Sequence, residues 1–237
     1  MAVLEICVDD AEGLEVACTN GAERIELCAA LAVGGLTPSA GLVGMAARGA
    51  VPCHAMIRPR AGGFVCSPVE MAVMLADVAA VRRAGLAGIV AGVTLPEGRL
   101  DREAMARLRD AAGPLQATVH RAFDLSPDPF EALELLVDLG FDRILTSGQA
   151  ATAVDGAGLI GDLVRAAGGR IEIMPGGGVD AAAAPVLLAL GVDALHASCA
   201  AMRDEPHGLA PLNLAPRRAV TDGAAVAALA AAMGVRR

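Results

Sequence analysis

Eight short apolar runs recur along the whole chain, and segments with helical spacing separate them. A strand that recurs after each helix predicts parallel strands with both faces covered. Eight such units in 237 residues predict a (β/α)8 TIM barrel, a single domain spanning residues 1–237. The runs are LEICV (4–8), RIELC (24–28), PCHAMIR (52–58), GIVAGV (88–93), LQATVHRAF (115–123), RILTSG (143–148), IEIMPG (171–176) and DALHAS (193–198).

Three of the intervening segments carry clear helix boundaries. Residues 67–85, 101–113 and 128–140 each begin at Ser or Asp, which cap helix N-termini, and end at Gly, which is common after helix C-termini. The competing fold, a doubly wound open sheet, commonly has a glycine turn after its first strand. Here the first run is followed by DDAEGLE, and the glycine cluster comes late, which favours the barrel. The last apolar stretch, which begins at residue 224, predicts a C-terminal helix that extends to residue 237 and completes the domain.

Charge and aromatic content exclude one class of partner. The formal net charge is −8, whereas nucleic acids are bound mainly by clustered Lys and Arg. The chain has no Trp or Tyr and only four Phe, so it has little with which to stack bases. The composition indicates a small polar or ionic ligand rather than a nucleic acid.

The chain also lacks the signals of a membrane or secreted protein. Its longest apolar runs fall short of the ~20 residues that cross a bilayer, and no basic region precedes the first apolar run. The six cysteines form no C-x-x-C pair and are typical of cytosolic thiols. We therefore expect a cytoplasmic protein without a membrane anchor.

Strand alternation predicts which side chains point into the barrel. Residues two apart on a strand share a face, so the first strand places Glu5 and Cys7 inside and the second places Glu26 and Cys28 inside. Two Glu-x-Cys pairs thus face one interior from neighbouring strands. The same rule turns a further set inwards: His54, Met56, Arg58, His120, Glu172, Met174, His196 and Ser198.

An interior with so many ionisable groups is unusual, because branched apolar side chains fill most TIM barrels. A buried unpaired charge costs several kcal/mol. One interpretation is a structural ionic network in which Arg58 and protonated histidines neutralise the glutamates. The other is an active site at the C-terminal ends of the strands. Its candidate catalytic residues are Glu5, Glu26, His120, Asp124, Glu172 and His196.

Loops after three strands indicate anion binding. RPRAGGF (58–64) combines two arginines with two glycines, which suits a carboxylate or a phosphate. MPGGGVD (174–180) places three glycines before a helix predicted to begin near Asp180, a combination whose backbone N–H groups cradle anions. VHRAFD (119–124) adds a further arginine. The candidate anion-binding residues are Arg58, Arg60, Arg121, Gly176, Gly177, Gly178 and Ser198.

A set of longer motifs resembles the copper homeostasis protein family CutC. They occur in that family's order and spacing, and the similarity covers residues 3–204. The motifs are EICVDD (5–10), GAERIELCAAL (21–31), GGLTPS (34–39), MIRPRAGGFVCS (56–67), VHRAFD (119–124), RILTSG (143–148), IMPGGGV (173–179) and LHAS (195–198).

The resemblance implies a cytoplasmic TIM-barrel protein, often a homo-oligomer, that takes part in copper homeostasis and binds Cu(I). The ligands that it implies are Cys7 and Cys28. The chain departs from the family's usual pattern at Ala61, Cys66 and Val119. Because Cys66 is an additional thiol, the sequence leaves open whether Cys66 or Cys199 joins a metal site.

Two functional hypotheses remain. The first is a cytosolic copper-handling protein, since soft thiolates select Cu(I), although Glu5 and Glu26 would raise the pKa of the neighbouring thiols. The second is an enzyme or binding protein for a small anionic metabolite, with or without a phosphate, at the C-terminal barrel mouth. The mouth is enzyme-like, but the sequence assigns no reaction to it.

Overall fold

A computed structural model describes residues 2–205 and 215–235 of the chain. Parallel strands and helices alternate from end to end. The barrel strands are β1 (Val3–Val8), β2 (Arg24–Leu27), β3 (Cys53–Met56), β4 (Gly88–Ala91), β5 (Gln116–Val119), β6 (Arg143–Thr146), β7 (Glu172–Pro175) and β8 (Ala194–Ala197). The helices are α1 (Ala11–Thr19), α2 (Ala40–Ala46), α3 (Pro68–Ala84), α4 (Arg102–Ala112), α5 (Pro129–Asp138), α6 (Ala157–Ala167), α7 (Ala184–Leu188) and α8 (Gly223–Met233).

The strands form one parallel sheet in the order β7-β6-β5-β4-β3-β2-β1-β8. The two ends of this sheet meet, because Gly176 forms a parallel bridge with His196 and the backbone N–H of Asp193 donates to the Ile173 carbonyl at 3.2 Å. The sheet therefore closes into a barrel, and the predicted TIM-barrel fold is confirmed. Each of the eight predicted strand positions contains a strand.

The main hydrophobic core lies between the barrel and its helices. Leu4, Ile6 and Val8 of β1 are fully buried there, as are Ile25 and Leu27 of β2. Among the described residues, the inward face of the barrel has two small apolar clusters of its own, one around Met56 and one around Met174. The alternation predicted from the sequence is confirmed, and the polar interior follows from it.

The helices begin and end where their capping residues predict. Ser67 and Glu70 form a capping box at the start of α3, and Gly85 ends that helix with φ of 84°. Asp101 and Asp128 cap α4 and α5 in the same way, since each side chain accepts hydrogen bonds from the first helical turn. Satisfying these N–H groups stabilises each helix by about 1 kcal/mol.

Two features differ from the sequence-based expectations. The helix predicted to begin near Asp180 starts only at Ala184 and is five residues long. The Asp180 carboxylate instead accepts from the backbone N–H groups of Ala182 and Ala183, which fixes a turn ahead of α7. This turn, rather than the first turn of a helix, therefore occupies residues 180–183.

The second difference is an antiparallel hairpin, β9 (Ala200–Asp204) with β10 (Arg217–Thr221), inserted before α8. Arginines tie it to the start of α1: Arg203 binds Glu12, and Arg218 binds Asp10. The predicted C-terminal helix is α8, while residues 236–237 lie outside the described part of the chain. None of the described helices is long and apolar enough to cross a membrane.

Candidate functional site

Three side chains of metal-ligating type meet at the floor of the barrel mouth. Cys7, Glu26 and His196 lie on the neighbouring strands β1, β2 and β8. Their sulfur, oxygen and nitrogen ligand atoms all lie within 4.8 Å of one another. The direct register of Cys7 with Glu26 across β1 and β2 produces this meeting. Among the described residues, this is the one group of three His, Cys, Asp or Glu side chains placed close enough to hold a metal ion.

Glu5 fixes the orientation of the His196 ring from below. His196 Nδ1 lies 2.8 Å from Glu5 Oε1, and Arg24 Nε donates to the other carboxylate oxygen at 2.5 Å. With Nδ1 engaged, His196 presents Nε2 to the cluster, 3.9 Å from the Glu26 carboxylate. A carboxylate behind a histidine in this way orients the ring for a ligand on its far side.

The charges of this pair follow from its surroundings. Burial raises the pKa of Glu5, but the hydrogen bond from His196 and the charge of Arg24 outweigh burial and lower that pKa well below its usual value. Burial also lowers the pKa of His196, yet the facing Cys7 and Glu26 raise it well above the ordinary value. At neutral pH the Glu5 carboxylate is therefore ionised and the His196 ring is a cation, with a proton on both nitrogens.

Cys28 is connected to the cluster through Glu26. Its thiol donates to Glu26 Oε2 at 3.4 Å. Burial raises the pKa of Cys28 well above the usual thiol value, and the Glu26 carboxylate adds to the effect. Burial and the charge of Glu5 also raise the pKa of Glu26. Burial and the neighbouring carboxylate thus both disfavour the thiolate form of Cys28.

A second ionic group occupies the opposite, N-terminal end of the barrel. Arg143, which is 1% exposed, donates to Glu172 at 2.5 Å and to Thr118 at 3.0 Å. Arg24 lies 3.9 Å from the same Glu172. Neither arginine is among the inward-facing residues predicted from the sequence. The interpretation in which Arg58 neutralises the interior glutamates is wrong for Arg58, which binds loop carbonyl oxygens instead. Arg24 pairs with Glu5 and Arg143 with Glu172, while the charged group nearest Glu26 is His196.

Above the Cys7, Glu26 and His196 cluster, the barrel mouth opens into a cavity of about 500 Å³. Predicted site residues from five strand ends line it together, and apolar side chains complete its wall. The lining residues are Cys7, Glu26, Leu31, Val33, Gly34, Met56, Arg58, Phe64, His120, Arg121, Asp124, Leu125, Leu145, His196 and Ser198.

His120 follows β5 and is 4% exposed. Its Nδ1 accepts the backbone N–H of Ala122 at 3.1 Å, which caps the 3-10 turn Arg121–Leu125. Burial, together with the charge of Arg58, lowers the pKa of His120 to about 3. His120 is therefore a neutral imidazole, and because Nδ1 accepts, its proton is on Nε2.

Arg121 and Asp124 form an ion pair with each other. Arg121 donates to Asp124 at 2.9 Å and to the Ser147 hydroxyl at 2.6 Å. Asp124 also accepts from the Thr146 hydroxyl at 2.5 Å and from the backbone N–H of Ser147. These contacts fasten the turn after β5 to the end of β6, so the pair forms a rigid part of the cavity wall.

Comparison with known proteins identifies the chain's relatives. A model of the CutC family matches residues 2–201. The chain belongs to the CutC family. A family protein CutC from Sinorhizobium medicae is 48% identical over 238 residues, covering 98% of this chain and 96% of the relative. Another from Agrobacterium fabrum is 50% identical over 201 residues, covering 84% and 80%.

A solved structure agrees with this assignment. The protein from Streptococcus agalactiae, described as a copper homeostasis protein, CutC, superposes with a TM-score of 0.79 at 33% identity. The match covers 84% of this chain and 99% of that one. The family resemblance expected from the sequence motifs is thereby confirmed for this CutC chain.

Several residues predicted for the site lie elsewhere in this CutC protein. Arg60 pairs with Glu70 at the surface, outside the residues that line the mouth. Glu172 lies at the N-terminal end of β7, away from the mouth. Cys66 lies in an outer groove with its sulfur 3.7 Å from Met74 Sδ. Among the described residues, neither Cys66 nor Cys199 belongs to the Cys7 cluster.

The three glycines after β7 serve the chain path. Gly176 lies where β7 meets β8, and a Cβ there would lie 2.5 Å from Leu145 and 3.2 Å from the His196 ring. Gly177 and Gly178 have φ of 103° and 69°, a backbone region that favours glycine. Close contact of β7 with β8 thus accounts for Gly176, and positive φ accounts for Gly177 and Gly178; none of the three is among the residues that line the mouth cavity.

Proposed function

We propose that this CutC protein takes part in copper homeostasis by binding Cu(I) at the floor of its barrel mouth. The observation that carries the proposal is the cluster of Cys7, Glu26 and His196, whose ligand atoms lie within 4.8 Å of one another. The description of the Streptococcus agalactiae relative supports it. Thiolate sulfur and imidazole nitrogen both suit copper.

The donor chemistry fits Cu(I) best with Cys7 and His196 as the first ligands. The Glu5 carboxylate behind His196 (2.8 Å) orients the ring and supports its ligand role. Copper at Nε2 replaces the proton that His196 carries, so binding releases a proton. Nothing in this ligand pair requires a backbone movement of β1 or β8.

Cys28, implied as a ligand by the family resemblance, is the third ligand in this proposal. Its thiol already donates to Glu26 at 3.4 Å. Carboxylate oxygen is a hard donor that suits Cu(I) less than sulfur does. We therefore assign Glu26 the role of accepting the Cys28 proton as the thiolate turns to the metal.

The test is competition for Cu(I) between reduced, anaerobic protein and the chelator bathocuproine disulfonate. Loss of an outer-shell partner typically weakens metal binding by about 10–100-fold. Because Cys7 is a direct ligand in this proposal, Cys7→Ser is expected to weaken Cu(I) binding by about 100-fold or more. Cys66→Ser, which removes a thiol in the outer groove, is the matched control and should bind as the wild type does. If the Cys7→Ser/Cys28→Ser double variant competes as well as the wild type, the copper site is wrong.

Two further parts of the proposal concern the setting of the protein. All six cysteines are free thiols, which supports a cytosolic location because that compartment keeps thiols reduced. Fractionation of cells that express the tagged chain tests the location.

The homo-oligomer implied by the family resemblance stays a prediction. Size-exclusion chromatography with light scattering checks it.

A further inference from the structure

Arg58 is a buried cation without a carboxylate partner among the residues that the structure describes. It is 8% exposed, and its guanidinium donates to three backbone carbonyl oxygens. These belong to Val33 (2.9 Å), Gly35 (3.0 Å) and Gly62 (2.6 Å). The other two buried arginines, Arg24 and Arg143, each contact a glutamate. A buried charge without a counterion is costly, so the cavity beside Arg58 favours an anion.

Two N–H groups of the cavity wall have no acceptor within the described part of the chain. One is Arg58 Nε and the other is His120 Nε2, and both atoms are buried. The His120 proton lies on Nε2 because Nδ1 accepts from Ala122. Since buried N–H groups in proteins are nearly always hydrogen-bonded, each calls for an acceptor that the protein itself does not supply.

Both donors border the same phenyl ring. The Phe64 ring centre lies 5.0 Å from Arg58 Cζ and 4.7 Å from the centre of the His120 ring. Phe64 lines the mouth cavity and also the outer groove that contains Cys66 and Met74. The ring therefore borders both spaces and packs against both side chains that carry the unpaired donors.

We propose that the barrel mouth binds a small organic carboxylate, whose two oxygens accept from Arg58 Nε and His120 Nε2 once the Phe64 ring turns aside. The apolar body of the ligand lies against Leu31, Val33 and Leu125, which line the same cavity. The volume of about 500 Å³ is in the range of small-molecule sites and far exceeds one metal ion. The proposal goes beyond copper binding and does not depend on it.

The surroundings favour a single carboxylate over a phosphate. Gly176, Gly177 and Gly178, the expected phosphate cradle, do not line the cavity. Helix α7 has only five residues and begins well after them. Arg121 is already neutralised by Asp124. Among the described residues of the cavity wall, Arg58 is a cation without a carboxylate partner and His120 is a neutral N–H donor, and together they match one negative charge shared by two oxygens.

The experiment uses reduced, metal-free full-length protein and four named probes: benzoate, 4-methylpentanoate, benzamide and inorganic phosphate. Isothermal titration and thermal shift report binding, and nitrogen-15 NMR reports the His120 ring. The two carboxylates are expected to raise the melting temperature saturably and to shift the His120 Nε2 resonance. Benzamide, which has the shape of benzoate without its charge, and phosphate are expected to do neither.

Variants locate the site. His120→Leu is expected to weaken benzoate binding by about tenfold, the loss of one hydrogen bond to a charged group. Arg60→Gln removes a neighbouring arginine that lies outside the mouth and should leave the affinity unchanged. Cys28→Ser, a change at a proposed copper ligand that does not line the mouth cavity, is expected to weaken Cu(I) binding and keep benzoate binding, so that failure of one proposal is distinguishable from failure of the other.

Three results would overturn the carboxylate site. The first is the absence of any His120 Nε2 shift with either carboxylate at millimolar concentrations, which needs no variant and decides the matter if His120→Leu fails to fold. The second is equal binding of benzamide and benzoate. The third is a folded His120→Leu variant that binds benzoate as tightly as the wild type.

Discussion

His196 and Glu5 lie in direct register on β8 and β1, and Nδ1 of the one is 2.8 Å from Oε1 of the other. Arg24 holds the second oxygen of Glu5 from β2 at 2.5 Å. The imidazole is thereby fixed with Nε2 facing Cys7 and Glu26. This fully buried carboxylate links barrel stability to the geometry of the proposed copper site.

Glu5→Gln should lower both the stability of the barrel and its affinity for Cu(I). The amide cannot balance Arg24, and breaking a buried ion pair typically lowers the free energy of unfolding by about 3–5 kcal/mol. Loss of the His196 anchor should weaken Cu(I) binding by roughly 10–100-fold. Urea unfolding and chelator competition measure the two effects.

The double variant Glu5→Gln/Arg24→Met is the control for that prediction. Because it also removes the stranded cation, it should recover part of the lost stability without recovering copper affinity. Unchanged Cu(I) binding by folded Glu5→Gln would show that His196 orientation does not matter to the metal.

Acid should destabilise the protein through two of its buried histidines, His54 and His120. Burial lowers the pKa of His54 and of His120 to about 3, whereas an unfolded histidine titrates near 6.5. The unfolded state thus binds more protons between these values, so stability is complete above pH ~6.5 and is lost as the pH falls toward 3. Between pH 6.5 and pH 5 each histidine should remove about 2 kcal/mol.

Comparison with His120→Gln isolates one of these contributions. The difference in unfolding free energy between pH 6.5 and pH 5 should shrink by about 2 kcal/mol in the variant. The raised pKa of Glu26 acts in the opposite direction in both proteins and cancels in the comparison. Identical pH dependence of the two proteins in urea unfolding would contradict the neutral, buried state of His120.

Gly92 gives a steric test of the His120 position. A Cβ at Gly92 would lie 2.6 Å from His120 Cε1 and 2.9 Å from the Ala122 Cβ, so Gly92→Ala should lower the free energy of unfolding by about 1–3 kcal/mol. Gly158→Ala, in α6 with nothing within 4 Å, is the matched control and should stabilise by about 0.4–1 kcal/mol. Thermal unfolding that ranks the two variants the other way round would place the ring elsewhere.

The thiols should differ sharply in reactivity. Cys28 is fully buried and Cys53 is 4% exposed, and burial raises the pKa of Cys53 to about 12. Both should resist iodoacetamide at mildly alkaline pH, while the partly exposed Cys66 reacts first. Mass spectrometry of peptides measures the order, with urea-unfolded protein as the reference in which every thiol reacts. Rapid labelling of Cys28 in the folded protein would contradict its buried, protonated state.

Strand alternation predicts the inward-facing residues of the site, and it also applies to two arginines that the sequence-based prediction left out. It placed Glu5, Cys7 and Glu26 inside, and the structure agrees. Arg24 is two residues before Glu26, and Arg143 is two residues before the inward-facing Leu145, so the same rule would have found both arginines. They were missed because each stands at the first residue of its strand, where the apolar pattern begins.

Strand alternation does not correctly predict the side-chain direction of Arg58. Arg58 follows β3 by two residues, so alternation predicts an inward side chain near the glutamates. In the structure it binds the carbonyls of Val33, Gly35 and Gly62. Carbonyl positions in loops depend on how distant segments pack, and the local pattern carries no information about them.

The amino-acid sequence by itself determined the barrel and the inward rows of polar side chains, because both follow from local periods of two and of 3.6 residues. Only the tertiary structure decided which members of those rows meet. Glu5 and His196 are 191 positions apart, and they touch because parallel pairing of β8 with β1 sets the register between the first strand and the last. The same pairing brings His196 to Cys7, and so it decides that Cys7, Glu26 and His196 form the cluster while Cys28 contacts it through Glu26.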